Sequence, residues 1–383
     1  LNHVVCTRNC VISNNRKLKI AASKGQISDE LMESTRDQGF VRPTILILCP
    51  FKKDAFDIVQ RLELLVFGKG SLVYQKSSRF SLSKKVLKLY EAFDKVRYLK
   101  PLRLFPYKSK YFFSASHQII PFIMQRADIM LQQNWEHLSI IFSHLHNQPS
   151  EIHTDISRVR KCYIDGMSKY YCQLLLFSRY AHELFSALIL EYSLNYHGLV
   201  IQNRPCNGTL DKIEIPLCQE LRRFAVENAA EQAVLRFNFF KEYVRTCFVI
   251  PSYFDFVRVR NYFKRTEESF VACHEYAPRN KITRARDMFY HKMKKILLVT
   301  ERYYYFNRKP LRGIAKIVFY QLPSHPDFYC EFINMANCEA GTRFSSVLFY
   351  CLYDRIRLQN TFGTDLANSI ISSKKTVQAI VSE

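Results

Sequence analysis

Few residues in this chain that could make or break bonds stand at spacings that would let them do so. A phosphate-gripping loop needs glycines that admit backbone N–H groups to an anion, then Lys and Ser or Thr for phosphate and Mg²⁺. The sequence has no Gly-x-x-x-x-Gly-Lys-Ser/Thr run, and the nearest stretch, Gly68-Lys69-Gly70, lacks the pattern. His137, His144, His146 and His153 fall close together, but their spacings fit no single metal site and no adjacent Glu motif completes one. Ser178 has no evident His and Asp to activate it, so a hydrolase is not expected. What is abundant is positive charge beside aromatic rings. Phe51-Lys52-Lys53 is one such group. Arg279–Arg312 carries eleven Lys/Arg against Asp287 and Glu301, with Tyr303, Tyr304, Tyr305 and Phe306. Lys76–Lys110 carries eleven against two acids. Cations with rings suit backbone tracking and base stacking along a nucleic acid. Equally, the Tyr303–Phe306 run can pack between strands as core.

The whole composition points the same way. The 383 residues carry a formal net charge of +22, which favours a polyanionic partner, nucleic acid or an anionic membrane surface. A basic protein balanced by an acidic segment or subunit is the plainer alternative. No basic-then-apolar leader is present, and no apolar run nears the ~20 residues of a membrane span. Twelve cysteines occur without any Cys-x-x-Cys, and several (Cys49, Cys247, Cys351) sit in apolar runs as small core residues do. A reduced intracellular protein without structural zinc is expected.

The elements that must position these residues alternate between strand and helix. Cys247–Ile250 is a short apolar run suited to a buried strand, and Pro251 stops it. Ser252 with Asp255 is a capping pattern, after which Phe256, Val259 and Phe263 share one helical face. Arg258, Arg260, Asn261 and Lys264 lie largely off that face. The same device occurs earlier: Thr44–Leu48, then Cys49-Pro50-Phe51 and Lys52-Lys53-Asp54, then Ala55, Ile58, Leu62 and Leu65 at helical spacing. Further strands are expected at Gln173–Phe177, Phe270–Cys273, Ile296–Thr300, Ile317–Tyr320 and Ser346–Tyr350, and a helix over Ala127–His146. Such alternation predicts parallel sheets flanked by helices. Turn signals at Pro205, Asn207, Gly208 and Pro216 place a boundary, giving domains 1–200 and 201–383.

The runs Arg126–Leu138, Ser157–Ser178, Ile250–Lys264, Ile282–Phe289 and Leu297–Pro323 closely resemble the nucleolar digestive organ expansion factor family, a component of the small-subunit processome. The resemblance implies an α/β fold of two tandem RecA-like domains related to DEAD-box helicases, used in 18S ribosomal RNA maturation. In such helicases the phosphate loop would precede the Thr44–Leu48 strand, where the chain offers Leu1–Arg42. The Asp-Glu-Ala-Asp element is matched by Gln125-Arg126-Ala127-Asp128, so only Asp128 keeps a carboxylate and Arg126 puts a cation where a metal would sit. The Ser-Ala-Thr element is matched by Phe177-Ser178-Arg179-Tyr180. The arginine-rich element after Leu322-Pro323 is replaced by Phe328–Gly341, without any Arg.

The expectation is therefore a degenerate helicase core, with no ATPase, cofactor or small-molecule substrate. RNA contact is expected at Phe51, Lys52 and Lys53, at Thr300, Glu301, Arg302 and Arg312, and along the flank carrying Arg258 and Arg260. The expected partners are pre-rRNA, small nucleolar RNA and processome proteins, in the nucleolus, with no membrane. An ATP-dependent RNA helicase with an unusual site and a purely protein-binding scaffold are the rival readings.

Overall fold

The computed structural model describes residues 2–40, 45–67, 121–133, 135–147, 155–202, 206–243, 247–335 and 344–382. Gly68–Gly70, Lys76–Lys110, His153 and the tail of the Phe328–Gly341 run lie outside them. Two compact units emerge: Leu1–Arg179 with Leu184–Ile201, and Tyr180–Glu183 with Gln202–Glu383.

In the first unit, β1 (Leu46–Leu48), β2 (Pro121–Met124) and β3 (Gln173–Leu176) form a parallel sheet with β2 in the middle. Leu48, Phe122 and Met124 pack with Phe142, Phe185 and Leu188 in the core. The helix expected over Ala127–His146 is two, Ala127–Leu131 and Trp135–Ser143. Trp135 packs on Phe185 with ring centroids 5.8 Å apart. Near the N-terminal helix Asn2–Ser23, Arg158 is nearly buried. Its guanidinium donates to Asp37 Oδ1 (2.7 Å), Asn15 Oδ1 (2.7 Å) and the Thr35 carbonyl (2.9 Å).

The second unit holds a seven-stranded sheet in the order β10-β4-β9-β8-β5-β7-β6. These strands are β4 (Leu217–Arg223), β5 (Cys247–Ile250), β6 (Phe270–Cys273), β7 (Ile296–Thr300), β8 (Lys316–Phe319), β9 (Ser345–Tyr350) and β10 (Val377–Ser382). All pairings are parallel except β10 with β4. The continuous apolar runs have a simple cause. Successive side chains leave a strand on opposite faces, and here both faces are covered. Cys247, Val249, Leu297, Val299, Ile317 and Phe319 enter one core. Phe248, Ile250, Leu298 and Val318 enter the other. Over the second core lies the helix Tyr253–Arg265, whose Phe256, Val259 and Phe263 are fully buried and whose cap Ser252 accepts from the Asp255 N–H at 3.5 Å. Burying such side chains stabilises by roughly 1.5–3 kcal/mol each.

Strands β4 and β10 were not expected from the sequence. In β4 (LCQELRR) only Leu217, Gln219 and Leu221 are fully buried, so its apolar signal is thin, and β10 is an edge strand. In the Tyr303–Phe306 run Tyr303 and Tyr304 are core, whereas Phe306 is 57% exposed. Among the described residues the cysteines are free thiols, no helix is long and apolar enough to cross a membrane, and no group of three His, Cys, Asp or Glu could hold a metal.

One buried ion pair ties the second unit together. Arg236, in the helix Gln232–Lys241, donates to Asp354 Oδ1 (3.0 Å) and Oδ2 (2.8 Å), and both side chains are 2% exposed. Asp354 also accepts from Gln321 Nε2 (2.8 Å) and the Cys351 N–H (3.0 Å). Burial alone would raise this carboxyl, but Arg236 and the hydrogen bonds outweigh it and hold it below its ordinary 3.8. A depressed carboxyl stabilises the fold above the unfolded-state pKa, and that contribution is lost as pH falls through the folded one. Asp354→Asn is expected to destabilise the second unit by about 3–5 kcal/mol, because Arg236 is left buried without its counter-charge. Urea unfolding at neutral pH measures this. The deficit should shrink as the pH is lowered below the carboxylate range, and a deficit independent of pH would refute the assignment.

Candidate functional site

In the first unit, backbone hydrogen bonds continue past the strands. Gln125 N–H donates to the Leu48 carbonyl (3.0 Å), Phe177 N–H to that of Met124 (2.9 Å), and Ala127 N–H to that of Phe177 (2.9 Å). They set Gln125–Asp128 and Phe177–Arg179 side by side at the carboxyl ends of β1–β3, where parallel α/β sheets form their ligand crevices. A cleft of about 530 Å³ lies there. Ile47, Ile58 and Ile123 supply its apolar lining, and Arg126, Asp128 and Arg179 its charges.

Those charges answer each other. Arg126 sits in the left-handed region (φ 54°), a conformation that costs a non-glycine residue about 1–2 kcal/mol. It is held by Asp54, whose two oxygens accept from Nη1 at 3.2 and 3.3 Å, and by the Phe51 ring 5.5 Å from its Cζ. Asp128 is fully buried, and its Oδ2 accepts from Arg179 Nε at 3.1 Å. The Cys49 thiol is pushed up to about 11, by burial first and by Asp54 second. A nucleotide with Mg²⁺ does not fit this set. The one carboxylate matching a metal-holding position is neutralised by a guanidinium, and a second guanidinium occupies the neighbouring position. Among the described residues that line the cleft there is no glycine.

The fold brings Phe51, Lys52 and Lys53 next to this cleft. Both lysines are exposed in the first turn of the helix Lys52–Phe67. Helix N-termini attract anions, and Lys52 and Lys53 add positive charge to that end beside Asp54. The sequence pointed to Lys52, Lys53 and Arg126. It gave no sign of the Arg126–Asp54 and Arg179–Asp128 pairs, because each joins segments more than fifty residues apart.

In the second unit the candidates scatter. Thr300, expected at an RNA contact, is corrected by the fold. It is 1% exposed, and its hydroxyl donates to Glu275 Oε2 (2.7 Å) and accepts from the Tyr303 N–H (3.3 Å) as the cap of the helix Glu301–Asn307. Glu301 is likewise internal: its buried carboxylate accepts from the Ser324 and His325 N–H groups, both at 2.9 Å. Arg302 lies over the Phe306 ring at 5.8 Å, and Arg312 is exposed. Arg258 is committed to the helix Gln232–Lys241 through the Ala233 carbonyl (2.9 Å), whereas Arg260 lies over Phe256 at 6.0 Å. Two residues apart on a helix, they point to different sides and make no joint patch.

The profile of the Utp25 C-terminal domain matches residues 209–380, and that of the UTP25 NTP hydrolase-like domain matches residues 1–86 and 107–200. U3 small nucleolar RNA-associated protein 25 homolog of Xenopus tropicalis is 31% identical over 444 residues, covering 100% of this chain and 57% of that protein. The Homo sapiens homolog is 29% identical, with 100% and 58% covered. Protein NUCLEOLAR FACTOR 1 of Arabidopsis thaliana is 28% identical, with 99% and 60% covered. The chain thus spans about three-fifths of the length of these curated relatives. Among solved structures, yeast Prp28, a DEAD-box splicing factor, aligns at 11% identity with a TM-score of 0.30, covering 90% of this chain and 74% of that one. Yeast Dbp5 bound to RNA and ADP BeF3 aligns at 16% and 0.31, with 86% and 79% covered. Neither likeness is close enough to carry an argument about the site. The matches bear the Utp25 name rather than the digestive-organ one given to the resemblance above. With its two halves matched in turn by the two Utp25 profiles, the chain belongs to the Utp25 family.

Proposed function

We propose that this chain is a non-catalytic ribosome-biogenesis factor that acts in the nucleolar small-subunit processome, holding pre-rRNA or small nucleolar RNA and neighbouring processome proteins during 18S rRNA maturation. Residues 1–200 act as a degenerate RecA-like domain and 201–383 as a helicase C-terminal-like domain. The relatives' names, which associate those proteins with U3 small nucleolar RNA, support the setting. One observation carries the binding role. The cleft's charges are spent on each other, Arg126 on Asp54 and Arg179 on Asp128, while Lys52 and Lys53 stay on the surface beside it. A metal at Asp128 would have to displace Arg179, whereas an RNA backbone would meet cations on the surface. Phe51, 39% exposed, offers a ring to an adjacent base. On the second unit the same role falls to Arg302 and Arg312, with Thr300 acting only through the turn it caps.

Titration of a structured pre-rRNA fragment at two salt concentrations tests this reading. Affinity should fall steeply with salt, and Lys52→Glu with Lys53→Glu should weaken it about uniformly across sequences, lowering the log–log salt slope by about 1–2. RNA affinity that is absent or insensitive to salt would favour a protein scaffold. Unchanged binding by the double variant would move the site elsewhere.

Calorimetry with ATP, Mg²⁺ and RNA is expected to show no turnover. Micromolar binding followed by hydrolysis would establish the helicase alternative, and Arg179→Ala separates the two. If Arg179 only neutralises Asp128, its loss destabilises the first unit without creating ATPase activity.

A further inference from the structure

A groove of about 650 Å³ runs along the helix Arg279–Tyr290 of the second unit and ends in the turn that follows it. Asn280, Arg284, Asp287, Met288, His291 and Met293 line it. The turn is built by Lys292, which takes a left-handed φ of 58° as the residue after a helix end often does. The Met293 N–H then donates back to the Met288 carbonyl at 3.0 Å, so that both methionines line the one groove. Met293 is 66% exposed, and with Met288 it gives the groove an apolar lining of two flexible thioether side chains. Around it Arg279, Lys281, Arg284, Lys292 and Lys295 are all exposed, and none forms an ion pair among the described residues. Asp287 is the one acid facing them from the groove.

The charge calls for an anionic occupant, and the lining decides which kind. Among the described residues no Phe, Tyr or Trp lines the groove. Its one ring, His291, is already turned edge-on to Tyr290 at 5.2 Å. Unpaired bases would find no stacking platform within that lining, since Tyr290, 49% exposed, stands outside it, and a single strand would keep only its phosphate contacts there. Methionines, by contrast, adapt to aliphatic and aromatic side chains of a docked helix. The geometry points to a docking groove for an acidic amphipathic helical segment of a partner protein, its apolar residues on Met288 and Met293 and its carboxylates towards Arg284 and the surrounding lysines. The helix of twelve residues that forms the groove wall offers about 18 Å, enough for about three turns of such a segment. The site is separate from the cleft at Asp128 and does not rest on its reading.

The probe is a fluorescein-labelled peptide of about three to four turns, with Leu at i, i+3, i+4 and i+7 and Glu or Gln elsewhere. Anisotropy is measured with the whole chain. The same peptide scrambled, and one with Lys in place of Glu, are the controls. Saturable binding is expected for the acidic amphipathic peptide alone. Met293→Ser should weaken it about fivefold without touching the charge, and Arg284→Glu about tenfold. Both positions are exposed, and far-UV circular dichroism verifies that the variants fold. Equal binding of the scrambled acidic peptide, or no change in Met293→Ser, would reduce the groove to a non-specific cationic face and overturn the proposal. So would an oligouridine that displaces the peptide and loses affinity in Met293→Ser, since the groove would then be an RNA site.

Discussion

A guanidinium buried against a carboxylate is the constraint on which the second unit depends. Arg236 and Asp354 come from different elements, a helix over one face of the sheet and the turn after β9. Neither could stay charged where it lies without the other, since an isolated buried ion costs several kcal/mol. Gln321 and the Cys351 N–H fill the remaining lone pairs, so the end of β8, the turn after β9 and the overlying helix are fixed by one network. The guanidinium also lies 5.3 Å from the Phe224 ring, just beyond β4. Strands β8 and β9 end in apolar or aromatic side chains, and this network fixes the backbone just beyond them.

The same chemistry, moved to the carboxyl ends of β1–β3, decides what the first unit can do. Asp128 is as buried as Asp354, and it too is answered by an arginine. A carboxylate so occupied is a structural group. The left-handed backbone at Arg126 belongs with it: an uncommon conformation, held by Asp54 and Phe51, aims the guanidinium across the cleft. At the crevice Arg126 and Arg179 each answer a carboxylate while keeping 42% and 60% of their side chains exposed. Lys52 and Lys53 add two exposed cations on the helix start next to it.

In the second unit, Thr300 and Glu301 show how a distinctive run can be structural. The threonine caps one helix and the glutamate gathers the N–H groups of the Ser324-His325 turn, so both fix loop geometry at the carboxyl end of β7. Arg302, next in the chain, is partly exposed, and Arg312 stands on the following loop. Arg302 thus starts from a helix whose first turn is fixed on both sides, by the Thr300 cap and by the Glu301 carboxylate.

Much of the architecture was legible in the residues. Cys247–Ile250, Phe270–Cys273 and Ile296–Thr300 are strands with the bounds expected, and Phe256, Val259 and Phe263 are buried as their spacing required. These are short-range signals: apolar runs, a proline, a cap and a helical period. Strand β4 escaped because a half-polar strand resembles a loop, and β10 because an edge strand needs no continuous apolar run. The site was legible only as a list of charges. Sequence by itself determined that the chain is strongly basic, holds alternating strands and helices, and lacks a phosphate-loop pattern. Only the tertiary structure decided which charges answer each other, because pairing of Arg126 with Asp54, Arg179 with Asp128 and Arg236 with Asp354 depends on distance in space, which residue order does not encode.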